Sequence, residues 1–140
     1  MTAALNQRAY AEADSLDSYV DDVCRYPLLT AEQEHALASR VRAGDESAVD
    51  QLVCSNLRFV VAMARQYRDL GVPIPALINT GNLALLRAAQ RFDGTKCARF
   101  FSYAISWVRR AMLRTIVASE QKARAPELGS PTITAVVASS

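Results

Sequence analysis

The chain has 140 residues, a formal net charge of +2, an apolar share of 51% and a charged share of 21%, with only 5 Gly and 5 Pro. These values describe one soluble globular domain and exclude a collagen or a Pro/Gly linker. No apolar run reaches the roughly 18 residues of a membrane span, the N-terminus has no secretory h-region, and Cys24, Cys54 and Cys97 lack disulfide or metal spacing, so they read as reduced thiols in a cytoplasmic protein.

Residues 1–14 are small and polar and are expected to be flexible. Ser15 or Asp17 can cap a first helix, with Leu16, Tyr19, Val20 and Val23 on one side and Pro27 as its stop. Thr30 followed by Gln33 is a capping-box pattern. The helix it opens should run to about Arg42 and close at Gly44 in the left-handed conformation. Asp45 is a good N-cap for a third, longer helix, whose apolar positions Val49, Leu52, Val53, Leu57, Val60, Ala64 and Tyr67 keep helical spacing. Gly71, Pro73 and Pro75 break it. A fourth helix is expected from about Pro75 to Arg91, carrying Leu77, Ile78, Leu85, Leu86 and Ala89, with a turn at Asp93-Gly94. A fifth covers roughly residues 99–121. The remainder from 127 to 140 reads as a flexible tail, with some β character at 132–137. No strand is convincing, so the fold class is all-α: a compact bundle of four or five helices over residues 15–126.

Charge separates along the chain. Residues 1–50 carry a net −6, and residues 51–128 a net +8. Between Arg87 and Arg114 there are seven basic residues against one acid, Asp93. Such asymmetry suggests a polyanion as partner of the basic half. It also raises the possibility that the acidic half covers the basic helix in the free protein.

The fifth helix has two useful faces. At 100° per residue, Phe101, Ala104, Ile105, Val108, Met112 and Ile116 form a core stripe. Phe100, Tyr103, Trp107, Arg110 and Arg114 form a second stripe about 150° away, with Ser102, Ser106, Arg109 and Leu113 between the two. Aromatic faces stack on unpaired bases while arginines bind phosphates. Alternatively, Phe100 and Trp107 pack against a neighbouring helix. Gly81 inside the fourth helix marks either tight helix packing or the close approach of a partner helix. His35, the single histidine, reads as a surface residue. No metal site, cofactor site or catalytic constellation is recognisable, so an enzyme is not expected.

Several spaced blocks resemble the bacterial sigma-70 family of RNA polymerase initiation factors. They include Pro27-Leu28-Leu29-Thr30-Ala31-Glu32, Arg42-Ala43-Gly44-Asp45, Asn56-Leu57-Arg58-Phe59-Val60-Val61 and Ala76-Leu77-Ile78-Asn79-Thr80-Gly81-Asn82-Leu83. They continue in Ala88-Ala89-Gln90-Arg91-Phe92-Asp93 and Phe100-Phe101-Ser102-Tyr103-Ala104-Ile105-Ser106-Trp107-Val108-Arg109. The flavour is that of primary factors of the Bacteroidetes type.

The resemblance implies the fold of sigma domain 2, preceded by the conserved part of region 1. It implies two partners. Core RNA polymerase would dock, through the coiled coil of its largest subunit, on Leu77, Ile78, Asn79, Gly81, Asn82, Leu85 and Arg87. Promoter DNA, as the unpaired non-template strand of the −10 element, would meet Arg99, Phe100, Ser102, Tyr103, Trp107, Arg109, Arg110 and Arg114.

The chain departs from the family pattern at several positions. Ala76 and Thr80 replace docking acids, Ser106 replaces the first of a tryptophan pair, Arg110 replaces a glutamine that reads the −10 duplex edge, and Leu113 replaces a short polar residue. Cys97 and Ala98 replace a glycine and an aromatic. The matched blocks end near Arg124, so the chain is expected to be a truncated factor that needs a second protein for −35 recognition. The alternative is a sigma-derived regulatory protein that binds polymerase or an anti-sigma factor without opening promoters.

Overall fold

The computed structural model describes residues 16–95 and 99–128, with side chains through Ala123. The described residues form six helices and no strand: α1 Leu16–Val23, α2 Ala31–Arg42, α3 Glu46–Cys54, α4 Leu57–Gln66, α5 Ile74–Arg91 and α6 Phe100–Leu128. The expectations for residues 1–15, for Cys97 and Ala98, and for the tail from 129 onward, including 132–137, lie outside the described residues.

The caps sit where the local chemistry puts them. Thr30 Oγ1 accepts from Gln33 N (3.1 Å), and Thr30 N donates to Gln33 Oε1 (2.8 Å), a reciprocal pair that opens α2. Ala43 is the C-cap, and Gly44 follows at φ +90°, a conformation that disfavours any Cβ. Asp45 Oδ1 accepts from Ser47 N (2.9 Å) and opens α3. Its other oxygen takes Arg40 Nε (2.8 Å) and Nη2 (2.7 Å), which ties the end of α2 to the start of α3.

The expected long third helix is two helices. Ser55 and Asn56 are buried between them, and their side chains turn back onto the main chain. Asn56 Nδ2 donates to the Leu52 carbonyl (2.8 Å), and Ser55 Oγ to the same carbonyl (3.3 Å). These bonds satisfy an acceptor that a continuing helix would use, so the chain bends there. Apolar periodicity does not register the break, because Leu52, Val53, Leu57 and Val60 stay on the core side of both pieces.

The core is held between α3, α4, α5 and α6, and α5 with α6 makes the largest helix pair. α1 adds Tyr19, fully buried, whose hydroxyl accepts from Asn82 Nδ2 on α5 (3.1 Å). Arg58 on α4 donates to the carbonyls of Cys24 and Tyr26 and so braces the extended link from α1 to α2. α6 runs past the expected end near 121 to Leu128. Gln121, Lys122, Ala123 and Arg124 are helix formers, so nothing local stops it there.

The close approach that Gly81 implied is internal. A Cβ there would lie 2.7 Å from Met112 Cε and from Val60 Cγ1, and 3.3 Å from Val108 Cγ1. The position is where α4, α5 and α6 meet. Overpacking of this kind costs roughly 1–3 kcal/mol, against about 1 kcal/mol of helix propensity gained from alanine. Gly81→Ala should therefore lower stability by about 1 kcal/mol, seen as a reduced urea midpoint at unchanged slope; a raised midpoint would refute the packing account.

The Arg40 side chain holds the Asp45 carboxyl below its ordinary value, with Ser47 N–H adding to the effect. A depressed folded value means that the charge stabilises the fold above the unfolded value of 3.8 and loses this effect as pH falls through the lower folded one. Asparagine also caps helices well. Wild type and Asp45→Asn should thus differ in melting temperature at neutral pH and converge in acid well below 3.8.

Candidate nucleic-acid interface

The interface is built on the first half of α6, and its start is set from a distance. The first intrahelical acceptor is the Arg99 carbonyl, taken by Tyr103 N (3.4 Å). An arginine side chain has no acceptor with which to cap the free N–H groups. Glu34, on α2, supplies one: its Oε1 accepts from Phe100 N (3.0 Å) and from Arg99 Nε (2.9 Å). Glu34 is buried at 3% exposure, while Arg99 is half-exposed and also donates from Nη2 to the Leu29 carbonyl (3.2 Å).

This start corrects the expected outward stripe. Phe100 is fully buried, 5.2 Å edge-on from Phe92, and presents nothing to a ligand. The buried line of α6 is Phe100, Ala104, Val108, Met112 and Ile116, one residue in every four. Such a line drifts about 40° per step round the helix, as a ridge does when helices cross at an angle. Phe101 and Ile105, expected in the core stripe, are only half-buried at its margin, where Phe101 packs 4.6 Å from Phe59.

Tyr103 and Trp107 do reach the surface, both half-buried. They continue a chain of rings that begins in the core: Phe92 lies 5.8 Å from Tyr103, and Tyr103 lies 6.1 Å from Trp107. The Arg91 guanidinium stands over the Trp107 ring at 5.4 Å, a cation–π contact. The rings are therefore rigid at one end and accessible at the other, which suits a stacking platform.

Beside them, Ser102, Ser106, Arg109, Arg110 and Arg114 are exposed, and Ser106 Oγ donates to the Tyr103 carbonyl (3.3 Å). An open groove of about 720 Å³ lies over this face, with Arg109, Arg110, Leu113 and Arg114 in its lining. None of the three arginines has an ion-pair partner among the described residues. One ion pair among those residues joins an acid of the first 50 residues to a base of the rest, Glu34 with Arg99. Among the described residues, then, no acid of the first part pairs with Arg109, Arg110 or Arg114.

The residues expected to dock a protein divide by face. Asn79 and Arg87 on α5 are exposed, whereas Leu77, Ile78, Gly81, Asn82 and Leu85 are buried. A contiguous motif wraps right round a helix, so its members cannot all face outward. The buried five fill the bundle and cannot meet a partner without opening it. The outer face instead carries Asn79, Leu83 at 44% exposure, and Arg87, spaced four residues apart. Sequence reasoning passed over Leu83 and Arg91. Leu83 was detectable as the leucine outside the apolar period of α5. Arg91 could be recognised as basic, but its contact with Trp107 depends on how α5 meets α6.

Two family profiles match this chain: "Sigma-70 factor, region 1.2" over residues 14–47 and "Sigma-70 region 2" over residues 52–121. The chain belongs to the sigma-70 family. Its members are transcription factors rather than enzymes, and α2 lies in region 1.2 while α4, α5 and most of α6 lie in region 2. The chain is 46% identical over 101 residues to the RNA polymerase sigma-C factor of Myxococcus xanthus, covering 72% of this chain and 34% of that protein. It is 39% identical over 113 residues to the RNA polymerase sigma factor SigA of Listeria monocytogenes, covering 81% and 30%. Against the RNA polymerase sigma factor RpoS of Coxiella burnetii it is 38% identical over 120 residues, covering 86% and 34%. The chain spans about a third of the length of these curated relatives.

Among the described residues, the departures from the family pattern are exposed or half-buried. Ser106, Arg110 and Leu113 share the exposed face of α6. Ala76 and Thr80 are half-buried on α5, and the Thr115 hydroxyl on α6 bonds to the Thr80 hydroxyl (3.3 Å). Among the described residues no membrane-length apolar helix occurs.

Burial separates the two aromatics that the sequence had grouped. Phe100→Ala should destabilise the fold by about 3–5 kcal/mol, the usual cost of emptying a buried aromatic site. Trp107→Ala, at the rim, should cost much less; equal losses in chemical denaturation would contradict this division.

Proposed function

We propose that this chain engages the unpaired non-template strand of a promoter −10 element through α6 and docks on core RNA polymerase through the outer face of α5. The observation that carries the reading is the ring chain ending in Tyr103 and Trp107 beside the exposed arginines Arg109, Arg110 and Arg114. Bases stack on the two rings, and the arginines neutralise the backbone alongside. Ser102 and Ser106 add small polar contacts between them. The relatives are named as RNA polymerase sigma factors, which supports the polymerase half of the reading. For that half, Asn79, Leu83 and Arg87 form the contact surface, and the buried Leu77, Ile78, Gly81, Asn82 and Leu85 keep the helix in place. The work belongs in the bacterial cytoplasm, where transcription occurs.

One feature favours a second reading. α5 has no carboxylate anywhere along Ile74–Arg91, and its outer face presents Arg87. A polymerase surface that expects acids would bind it weakly. In that case the chain acts as a regulatory protein on polymerase or an anti-sigma factor and opens no promoter.

The deciding experiment mixes the full chain with core RNA polymerase and a labelled single-stranded oligonucleotide carrying a −10 consensus, across a salt series. Binding of both partners is expected. Replacing Tyr103 and Trp107 with alanine should each weaken strand capture about tenfold, within the range of one lost base stack. Each arginine among Arg109, Arg110 and Arg114 changed to glutamine should reduce the salt slope by roughly 0.7. Polymerase capture with no strand binding supports the second reading. Strand binding that ignores both aromatic changes sinks the first.

A further inference from the structure

We propose that Glu34 is a positioning residue for the strand-binding face of α6, and that Arg99 serves this latch rather than a DNA phosphate. The inference rests on the strand-binding reading above and extends it to a residue of region 1.2.

The argument begins with what a buried carboxylate requires. Glu34 is 3% exposed, and an anion so placed must be paired and hydrogen-bonded. It finds both at one point, the Phe100 N–H and the Arg99 guanidinium, 66 and 65 residues further along the chain. A negative charge at a helix N-terminus also meets the positive end of the helix dipole. Oε1 thus does what an N-cap side chain does elsewhere, but from another helix. Its own position is fixed locally, since the Thr30 and Gln33 box sets the first turn of α2 and Glu34 N bonds to the Thr30 carbonyl (3.0 Å).

The consequence for function runs through one turn of helix. Phe100, held by its N–H, packs edge-on against Phe92, and Phe92 in turn lies under Tyr103. Tyr103 N bonds to the carbonyl of Arg99, the residue whose side chain Glu34 clamps. The same α2 surface closes on the preceding loop. A Cβ at Gly94 would lie 3.1 Å from Ala38 Cβ, and Arg42 pairs with Asp93 at 3.5 Å. The start of α6, and with it the aim of Tyr103 and Trp107, is therefore referred to α2. Arg99 spends its Nε on Glu34 and an Nη2 on the Leu29 carbonyl, so it is oriented toward protein.

The test compares wild type with Glu34→Gln, Arg99→Gln and the control Asp45→Ala, each in the full chain. Asp45 caps α3 and pairs with Arg40, so its loss weakens the fold without touching α6. Trp107 is the sole tryptophan and reports directly on the strand-binding face. At a temperature where circular dichroism shows every variant folded, acrylamide quenching of Trp107 should rise about twofold in Glu34→Gln, which keeps an acceptor but loses the charge that pairs with Arg99 and complements the helix dipole. It should stay at the wild-type value in Asp45→Ala. Affinity for the single-stranded −10 oligonucleotide should fall roughly fivefold in Glu34→Gln, consistent with a lost interaction at a helix terminus, at an unchanged salt slope. Arg99→Gln should also leave the slope unchanged, whereas a phosphate-binding arginine would reduce it by about 0.7. Wild-type quenching in Glu34→Gln, or a lower slope in Arg99→Gln, overturns the proposal. If Glu34→Gln does not fold, Arg99→Gln carries the quenching comparison in its place. If the wild type ignores the oligonucleotide, the strand-binding reading fails, while quenching still decides whether Glu34 positions the ring face.

Discussion

Three helices of this protein meet at a residue with no side chain. At Gly81 the backbone of α5 comes so near Val60 of α4 and Met112 of α6 that even a methyl group would overlap both. The largest helix pair, α5 with α6, is built round that contact, and the line Phe100, Ala104, Val108, Met112 and Ile116 lies along it. Which residues of α5 and α6 face outward follows from this approach. Asn79, Leu83 and Arg87 are left on the far side of one helix, and Ser106, Arg109, Arg110 and Leu113 on the far side of the other.

The second constraint is electrostatic. The chain divides into an acidic first part and a basic second part. The charged contacts described between them include a buried carboxylate of α2 at the start of α6 and Arg42 with Asp93 in the loop before it. Arg109, Arg110 and Arg114 further along α6 are exposed and have no ion-pair partner among the described residues. Region 1.2 thus acts as a brace for region 2. The surface it braces combines rings anchored in the core with exposed arginines, the combination that single-stranded nucleic acid exploits.

Much of the local structure was legible in the residues. The Thr30 and Gln33 box, the left-handed Gly44, the Asp45 cap and the end of α5 at Arg91 all depend on groups within a few positions of one another. The split at Ser55 and Asn56 was not legible, although its causes are local. Serine and asparagine can bond to the preceding turn or to solvent, and burial decides which. The candidate site was legible in part. Tyr103, Trp107 and the exposed arginines stand on a face that helical spacing indicates. Phe100 was misplaced because a wheel drawn for a straight stripe ignores the drift of an angled helix crossing.

The sequence by itself determined the all-helical class, the caps, the family and the existence of an aromatic and basic helix. Each of these is written in residue types at short spacing, or in blocks whose order survives without coordinates. The tertiary structure alone decided that Phe100 is core, that five of the seven expected docking residues are buried, and that Glu34 holds the head of α6. Spacing gives the angle of a side chain round its own helix axis. It contains neither the direction from which a neighbouring helix arrives nor a contact between residues 66 positions apart, and those two quantities fix what this protein can offer to a partner.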